Sequence, residues 1–112
     1  MPISFPRRRF AVASILLLFV ASTARAAAPQ PVTIRIDNFT FAPAEITVPA
    51  GTTVTWVNGD DIPHTVVAVD KSFRSKALDT GDSYSQTLSQ PGTVDYFCGL
   101  HPHMTGRITV TP

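Results

Sequence analysis

A single cysteine, Cys98, occurs in the 112 residues, so no intrachain disulfide can staple the fold. Methionine is almost absent: Met1 and Met104 are the only two, and the three histidines are His64, His101 and His103. There is therefore no Met-rich or His-rich tract of the kind that gathers metal ions along a flexible segment. Long apolar runs are missing too. The apolar run from Phe10 to Ala21 has twelve residues and no charge, short of the roughly 20 that a membrane-spanning helix needs. Internal repeats and low-complexity tracts are absent, and nowhere does an apolar 3.6-residue period persist long enough to predict a helix.

Basic residues are scarce once the N-terminus is set apart. Arg7, Arg8 and Arg9 precede the apolar run, and Ala24-Arg25-Ala26 follows it. Basic, apolar and small-residue regions in that order read as a secretory signal over residues 1–26, leaving a domain over 27–112. Arg7-Arg8-Arg9-Phe10 also fits the R-R-x-F core of a twin-arginine address, although Pro6 stands where Ser or Thr is usual; a plain basic leader is the preferred reading. Export by either route predicts a periplasmic protein with no membrane span after cleavage. Beyond residue 26 the cations are Arg35, Lys71, Arg74, Lys76 and Arg107. Eight acids oppose these five, so the formal charge is −3 rather than the +1 of the whole chain. No basic patch remains for nucleic acid.

Eighty-six residues make one small domain. Such a chain buries only about 60–65% of its unfolded surface, which leaves it marginal unless a metal adds stability. Period-two alternation organises it. Val32, Ile34 and Ile36 alternate with polar residues, as do Ile46 and Val48, Val54 and Trp56, and Ile108 and Val110. His64 to Val69 is apolar on both parities, as expected of a central strand, and Tyr84–Leu88 and Gly92–Cys98 supply two more. Turn signals punctuate them at Pro49-Ala50-Gly51, Asn58-Gly59-Asp60-Asp61, Thr80-Gly81-Asp82 and Gln90-Pro91-Gly92. Seven to eight short strands predict an all-β antiparallel sandwich with Greek-key connections. Trp56, Phe39 and Phe41 are expected in its core, and Asp60, Asp61, Asp79 and Asp82 are expected to be solvated turn formers.

The chemistry is crowded near the C-terminus. Cys98, His101 and Met104 form C-x2-H-x2-M, and His64 sits thirty-four residues before the cysteine. By strand parity Cys98 shares a face with Val94 and Tyr96, so a thiolate enters the core at its rim. Thiolate, two imidazoles and a thioether are a soft donor set, and His2Cys with a weak axial Met describes a blue-copper electron-transfer site. With neutral imidazoles and an anionic thiolate the centre carries +1 as Cu(II) and 0 as Cu(I), neither an extreme charge beside an apolar core. No Asp or Glu lies between Cys98 and Met104, which argues against Ca²⁺ and Mg²⁺. Zn²⁺ with an open fourth position is the chemical rival; Met is a poor zinc ligand, and the loop holds no general base.

On these residues the chain resembles the cupredoxins, and among them the amicyanin branch. Asn38-Phe39-Thr40-Phe41-x-Pro43, Val48-x-x-Gly51-x-x-Val54-x-Trp56-x-Asn58, Pro63-His64 and Asp95-Tyr96-Phe97-Cys98 follow the family pattern, and the two-residue gap from His101 to Met104 is the short loop of that branch. The resemblance implies that His64, Cys98 and His101 are equatorial copper ligands and Met104 the axial one. It implies that His101, ringed by Leu100 and Pro102, is the solvent-facing exit for the electron. It also implies a single copper per chain and a non-enzymatic, monomeric carrier between redox partner proteins, with a dehydrogenase as donor and a cytochrome c-like protein as acceptor. A copper-scavenging, storage or delivery module is the alternative, which the lack of Met-rich and His-rich tracts disfavours. Two positions depart from the pattern. Thr65 replaces an Asn that ties the ligand loops together, and His103 occupies a place usually apolar or aromatic and is expected to face water or a partner.

Overall fold

A computed structural model describes residues 2–4 and 29–112. The expected signal, apart from residues 2–4, lies outside the described residues, as do its cleavage pattern and twin-arginine core.

Eight strands follow in order: β1 Val32–Asp37, β2 Thr40–Ala42, β3 Glu45–Pro49, β4 Thr52–Asn58, β5 Val67–Ala68, β6 Ser83–Leu88, β7 Gly92–Phe97 and β8 Thr105–Thr111. They form two four-stranded sheets, ordered β2-β1-β4-β6 and β3-β8-β7-β5. Alternation decides which side chains face the other sheet. In β1, Ile34 and Ile36 are inside while Thr33 and Arg35 are outside; in β4, Val54, Trp56 and Asn58 are buried. β8 contributes Ile108 and Val110 from the opposite layer. Each large side chain so buried stabilises the fold by roughly 1.5–3 kcal/mol, and in the absence of a disulfide this packing carries the domain.

The sandwich departs from expectation in its pairing. β1–β4 and β3–β8 are parallel rather than antiparallel. The chain enters each of these pairs after crossing between the sheets, so no tight hairpin imposes the antiparallel sense. The long strand expected over His64–Val69 is also reduced, to the two residues of β5. Instead, residues 64–68 pair through backbone bonds with an extended strap over 73–78: Ala68 N–H to Phe73 O at 3.0 Å, Ser75 N–H to Val66 O at 2.8 Å and Leu78 N–H to His64 O at 2.7 Å. Phe73, Ser75 and Leu78 of the strap point inward, which is why the neighbouring segment is apolar on both parities. β2 has no counterpart in the expected strands, because it is three residues long and ends beside Pro43.

Aromatic rings fill the centre. Tyr96 meets Phe41 and Trp56 edge to face, at centroid distances of 4.8 and 5.3 Å. Its ring lies across Gly106, its partner in the β7–β8 ladder, in space that any Cβ there would occupy. Phe41 and Trp56 are core as expected, but Phe39 is not: it is 43% exposed. Asn38 and Phe39 take φ of +49° and +58° in the β1–β2 turn, which swings the phenyl out of the strand pattern.

Neither Tyr96 Oη nor Trp56 Nε1 has a hydrogen-bond partner among the described residues. Burial pushes the Tyr96 phenol up to about 12 from 10, opposed slightly by the nearby indole N–H, which is not in hydrogen-bond geometry. A raised folded value means that this stability is fully present below pH 10 and is lost as pH rises toward 12. Tyr96→Phe is therefore expected to leave the neutral-pH melting temperature unchanged or higher, because it removes an unpaired hydroxyl. The alkaline limb of the unfolding curve should move to higher pH; circular-dichroism melts from pH 7 to 12 measure both.

Candidate metal centre

The sandwich brings two distant segments together at one end. Phe97 pairs with Thr105 as the last rung of the β7–β8 ladder, so 98–104 is a seven-residue loop that leaves one sheet and re-enters it. Backbone bonds fold it tightly: His101 N–H to Cys98 O at 3.2 Å, Met104 N–H to His101 O at 2.9 Å, and Cys98 N–H to Met104 O at 3.0 Å. Cys98 is fully buried and Met104 is 2% exposed, while His101 is partly exposed at the loop tip. The other segment leaves β4 at Asn58. That buried side chain donates to Ile62 O and Leu78 O, both at 2.8 Å, and accepts the Asp60 N–H at 2.9 Å. These three bonds shape the loop that delivers the fully buried His64.

His64 Nδ1 and His101 Nδ1 each lie 3.7 Å from Cys98 Sγ, and all three donor atoms fall within 4.8 Å of one another. With metal–nitrogen and metal–sulfur bonds of about 2.1 and 2.3 Å, the lengths zinc makes to these same donors, ligand angles of about 109–120° separate neighbouring donors by about 3.6–3.8 Å. The spacing fits three donors converging on one cation. Of the four residues singled out in the sequence, three are thus assembled at bonding distance for a metal. Met104 is buried in the same loop, its backbone bonded to that of Cys98.

A supporting layer fixes these groups. Thr65 N–H donates to Cys98 Sγ at 3.3 Å, and Thr65 Oγ1 accepts the Gly99 N–H at 2.7 Å. The residue that departs from the family pattern therefore still ties the two loops, with a hydroxyl in place of an amide. His64 is held from its far side, where Nε2 donates to Asp60 Oδ2 at 2.8 Å. That bond places the ring proton on Nε2 and leaves the Nδ1 lone pair facing the sulfur. Asp60 was expected to be a solvated turn former; its side chain is instead only 12% exposed. Its carboxylate also accepts Asn38 N–H at 2.6 Å and Phe39 N–H at 3.0 Å. The Phe39 N–H does most to hold the carboxyl below its ordinary range, with His64 and Asn38 adding to it against the cost of burial. The only hint in the sequence was an acid four residues before the histidine. Phe39 in turn lies edge-on to both His64 and His101, at centroid distances of 5.6 and 5.1 Å. His103 is exposed, with its ring centroid 6.4 Å from that of His101, and so stands beside the donor cluster rather than in it.

A protein-family profile described as Cupredoxin-like domain matches residues 10–110. The chain is a cupredoxin. It is 34% identical to amicyanin-alpha of Methylorubrum extorquens over 117 aligned positions, covering 92% of this chain and 98% of that protein. Against amicyanin of Paracoccus versutus it is also 34% identical, over 70% of this chain, and spans 64% of the relative's length. Among solved structures, a purple cupredoxin from Nitrosopumilus maritimus superposes with a TM-score of 0.69 at 32% identity, over 71% of this chain and 99% of that one. The amicyanin-like loop spacing and the two-sheet architecture of this cupredoxin agree with those similarities.

Thr65→Val removes the acceptor of the Gly99 N–H and should destabilise the protein by roughly 1–3 kcal/mol, whereas Thr65→Ser should recover most of that; chemical denaturation of the three proteins checks it. For Asp60→Asn the expected loss is in metal affinity, roughly tenfold or more, read by competition with a chelator. In the metal-free protein the same variant should lose less stability below pH 3.8, since a lowered carboxyl contributes only above its ordinary value of 3.8 and loses that contribution as pH falls through the lowered one.

Proposed function

We propose that this cupredoxin binds one copper ion through His64 Nδ1, Cys98 Sγ, His101 Nδ1 and Met104, and carries single electrons between redox partner proteins without transforming a substrate. The observation that carries this reading is the three-donor cluster: one thiolate and two imidazoles from separate loops, spaced for a single cation, with a buried methionine in the same short loop. Sulfur-rich soft donors favour copper over the harder metals. The likeness to amicyanins, among them one solved in a form described as Cu(I), points the same way.

Copper bound there supplies a one-electron couple between Cu(II) and Cu(I). The chain's own contribution is to keep the donors still. Asp60 orients His64, Thr65 binds both the sulfur and the 98–104 loop, and the backbone bonds of that loop hold Cys98, His101 and Met104 in sequence. Donors fixed in this way have little to rearrange when the charge changes by one unit. Burial excludes water from Cys98 and His64, whereas His101 reaches the surface between Leu100, 52% exposed, and Phe39. An apolar ring around a partly exposed imidazole suits brief contact with a partner, because it is desolvated easily and holds no long-lived ion pairs.

Residues 1–26 are read as the export signal and the periplasm as the working compartment, on the sequence pattern alone. No helix among the described residues is long and apolar enough to cross a membrane. A dehydrogenase donor and a cytochrome c-like acceptor are the partners that the amicyanin resemblance suggests.

Adding Cu(II) to the purified metal-free protein should give an intense thiolate-to-copper absorption band that dithionite bleaches reversibly. Cys98→Ser should abolish it and His103→Ala should leave it nearly intact. A colourless 1:1 complex would favour copper storage or delivery and defeat the carrier reading. Mass spectrometry of the exported protein should find a chain starting at Ala27.

A further inference from the structure

We propose that Asn58-Gly59 is a fold-gated modification site: the native structure blocks its deamidation, unfolding releases it, and the modified chain no longer builds the His64 loop. This chemistry sets the working lifetime of the protein and does not depend on the carrier reading.

Deamidation begins when the backbone nitrogen after an asparagine attacks the side-chain carbonyl carbon. That nitrogen gives its proton to a solvent base, the new N–C bond closes a succinimide, and the departing amide takes a proton from water and leaves as ammonia. Water then opens the ring to an aspartyl or an isoaspartyl residue. Two conditions govern the first step. The nitrogen must lose its proton, and the backbone must turn until nitrogen and carbon meet. A following glycine favours the turn, since no side chain resists it. The chain has two asparagines, Asn38 and Asn58. Asn38 precedes Phe39, whose ring hinders closure, whereas Asn58 precedes Gly59 and is the reactive one in an unfolded chain.

The native structure removes both conditions. Asn58 ends β4 and is fully buried, and its side chain is held by the bonds to Ile62 O, Leu78 O and the Asp60 N–H. Its backbone is held as firmly. Asn58 N–H donates to Asp82 O at 3.0 Å, and Asn58 O accepts the Gly81 N–H at 2.8 Å. One residue on, Gly59 N–H donates to Ile36 O at 2.7 Å, which carries the parallel β1–β4 ladder past its Ile36–Asn58 rung. The nitrogen that must attack therefore keeps its proton and cannot turn without breaking the ladder. Arg35 lies over Gly59, its Nη2 only 2.7 Å from where a Cβ would stand.

The product does not fit the place it came from. A carboxylate at position 58 has no donor for Ile62 O and Leu78 O, and it sets a charge in a fully buried position against two carbonyl oxygens. An isoaspartyl link instead adds a methylene to the backbone beyond the Ile36 rung, so the bonds that shape the His64 loop cannot all re-form. Opening of this end of the sandwich is the gate. Its population falls when a ligand binds only the folded state, as a metal shared by His64 and Cys98 does.

The test follows Asn58 by peptide mass spectrometry in the whole protein at one mildly alkaline pH, with Asn38 as internal reference. Unfolded in urea, Asn58 should convert roughly tenfold or more faster than Asn38. In the folded, metal-free protein its conversion should be roughly a hundredfold or more slower than in urea. The slowing should match that of deuterium exchange at the Gly59 amide to within about threefold, because both need the same opening. Copper should slow both further. Gly59→Ala should suppress conversion in urea roughly tenfold or more, an arm that needs no folding. Folded, this variant should bind copper like the parent, because the added methyl meets only the far end of Arg35, whose side chain is 61% exposed and free to shift. Once urea is removed, the modified fraction should melt at lower temperature than the unmodified protein or fail to refold. Equal conversion in the folded protein and in urea would overturn the proposal. So would conversion while the Gly59 amide stays protected, a modified fraction that melts like the unmodified one, or bound copper that slows nothing. The first three outcomes need no metal. A protein that stays colourless with copper defeats the carrier reading and leaves this one to be decided by its metal-free results.

Discussion

The convergence of two chain segments on the Cys98 sulfur is what the rest of the molecule serves. The Cys98 sulfur, just past the end of β7, sits inside the rim of the core, where an isolated thiolate charge would be costly. It is compensated from three directions: by the Thr65 N–H, and by the spacing of two imidazoles that lets a cation be shared among them. None of these partners is near Cys98 in the chain except His101. The others arrive because β4 and β7 belong to opposite sheets whose ends meet at the same pole of the sandwich.

Rigidity at that pole comes from polar groups, while stability elsewhere comes from apolar ones. Asn58, Asp60 and Thr65 each satisfy backbone groups of a loop other than their own turn, and each is buried or nearly so. In a low-dielectric setting such bonds are costly to break, because the partner is left unpaired. Further into the sandwich, the Phe41–Tyr96–Trp56 cluster and the isoleucines of β1 and β8 supply the non-directional burial that a domain without disulfides requires. The unpaired phenol of Tyr96 is a place where packing has taken precedence over hydrogen bonding.

Surface and site are coupled through the strap. The same backbone bonds that hold residues 64–68, and with them His64, also set Arg74 and Lys76 outward. Loop placement for the donors and the outward placement of two cations are thus decided by one pairing.

Much of this was legible in the residues. Period-two alternation is a direct consequence of strand geometry, so the all-β class, Ile34, Ile36, Val54, Trp56, Ile108 and Val110 as core, and the strand ending at Cys98 could be read without coordinates. So could C-x2-H-x2-M, because the donors of a short loop are neighbours in the chain. Pairing sense and partner were not legible. Nothing local distinguishes the parallel β1–β4 ladder from an antiparallel one, and residues 64–69 look like a central strand whether their neighbour is a sheet or a strap. Phe39 outside, Asp60 on His64 and Thr65 on Gly99 depend on loop crossings and on two positive backbone angles. Side-chain type and spacing are properties of the chain, but which hydrogen bond an acid or hydroxyl makes depends on what the fold sets within 3 Å of it, and only the packed sheets determine that.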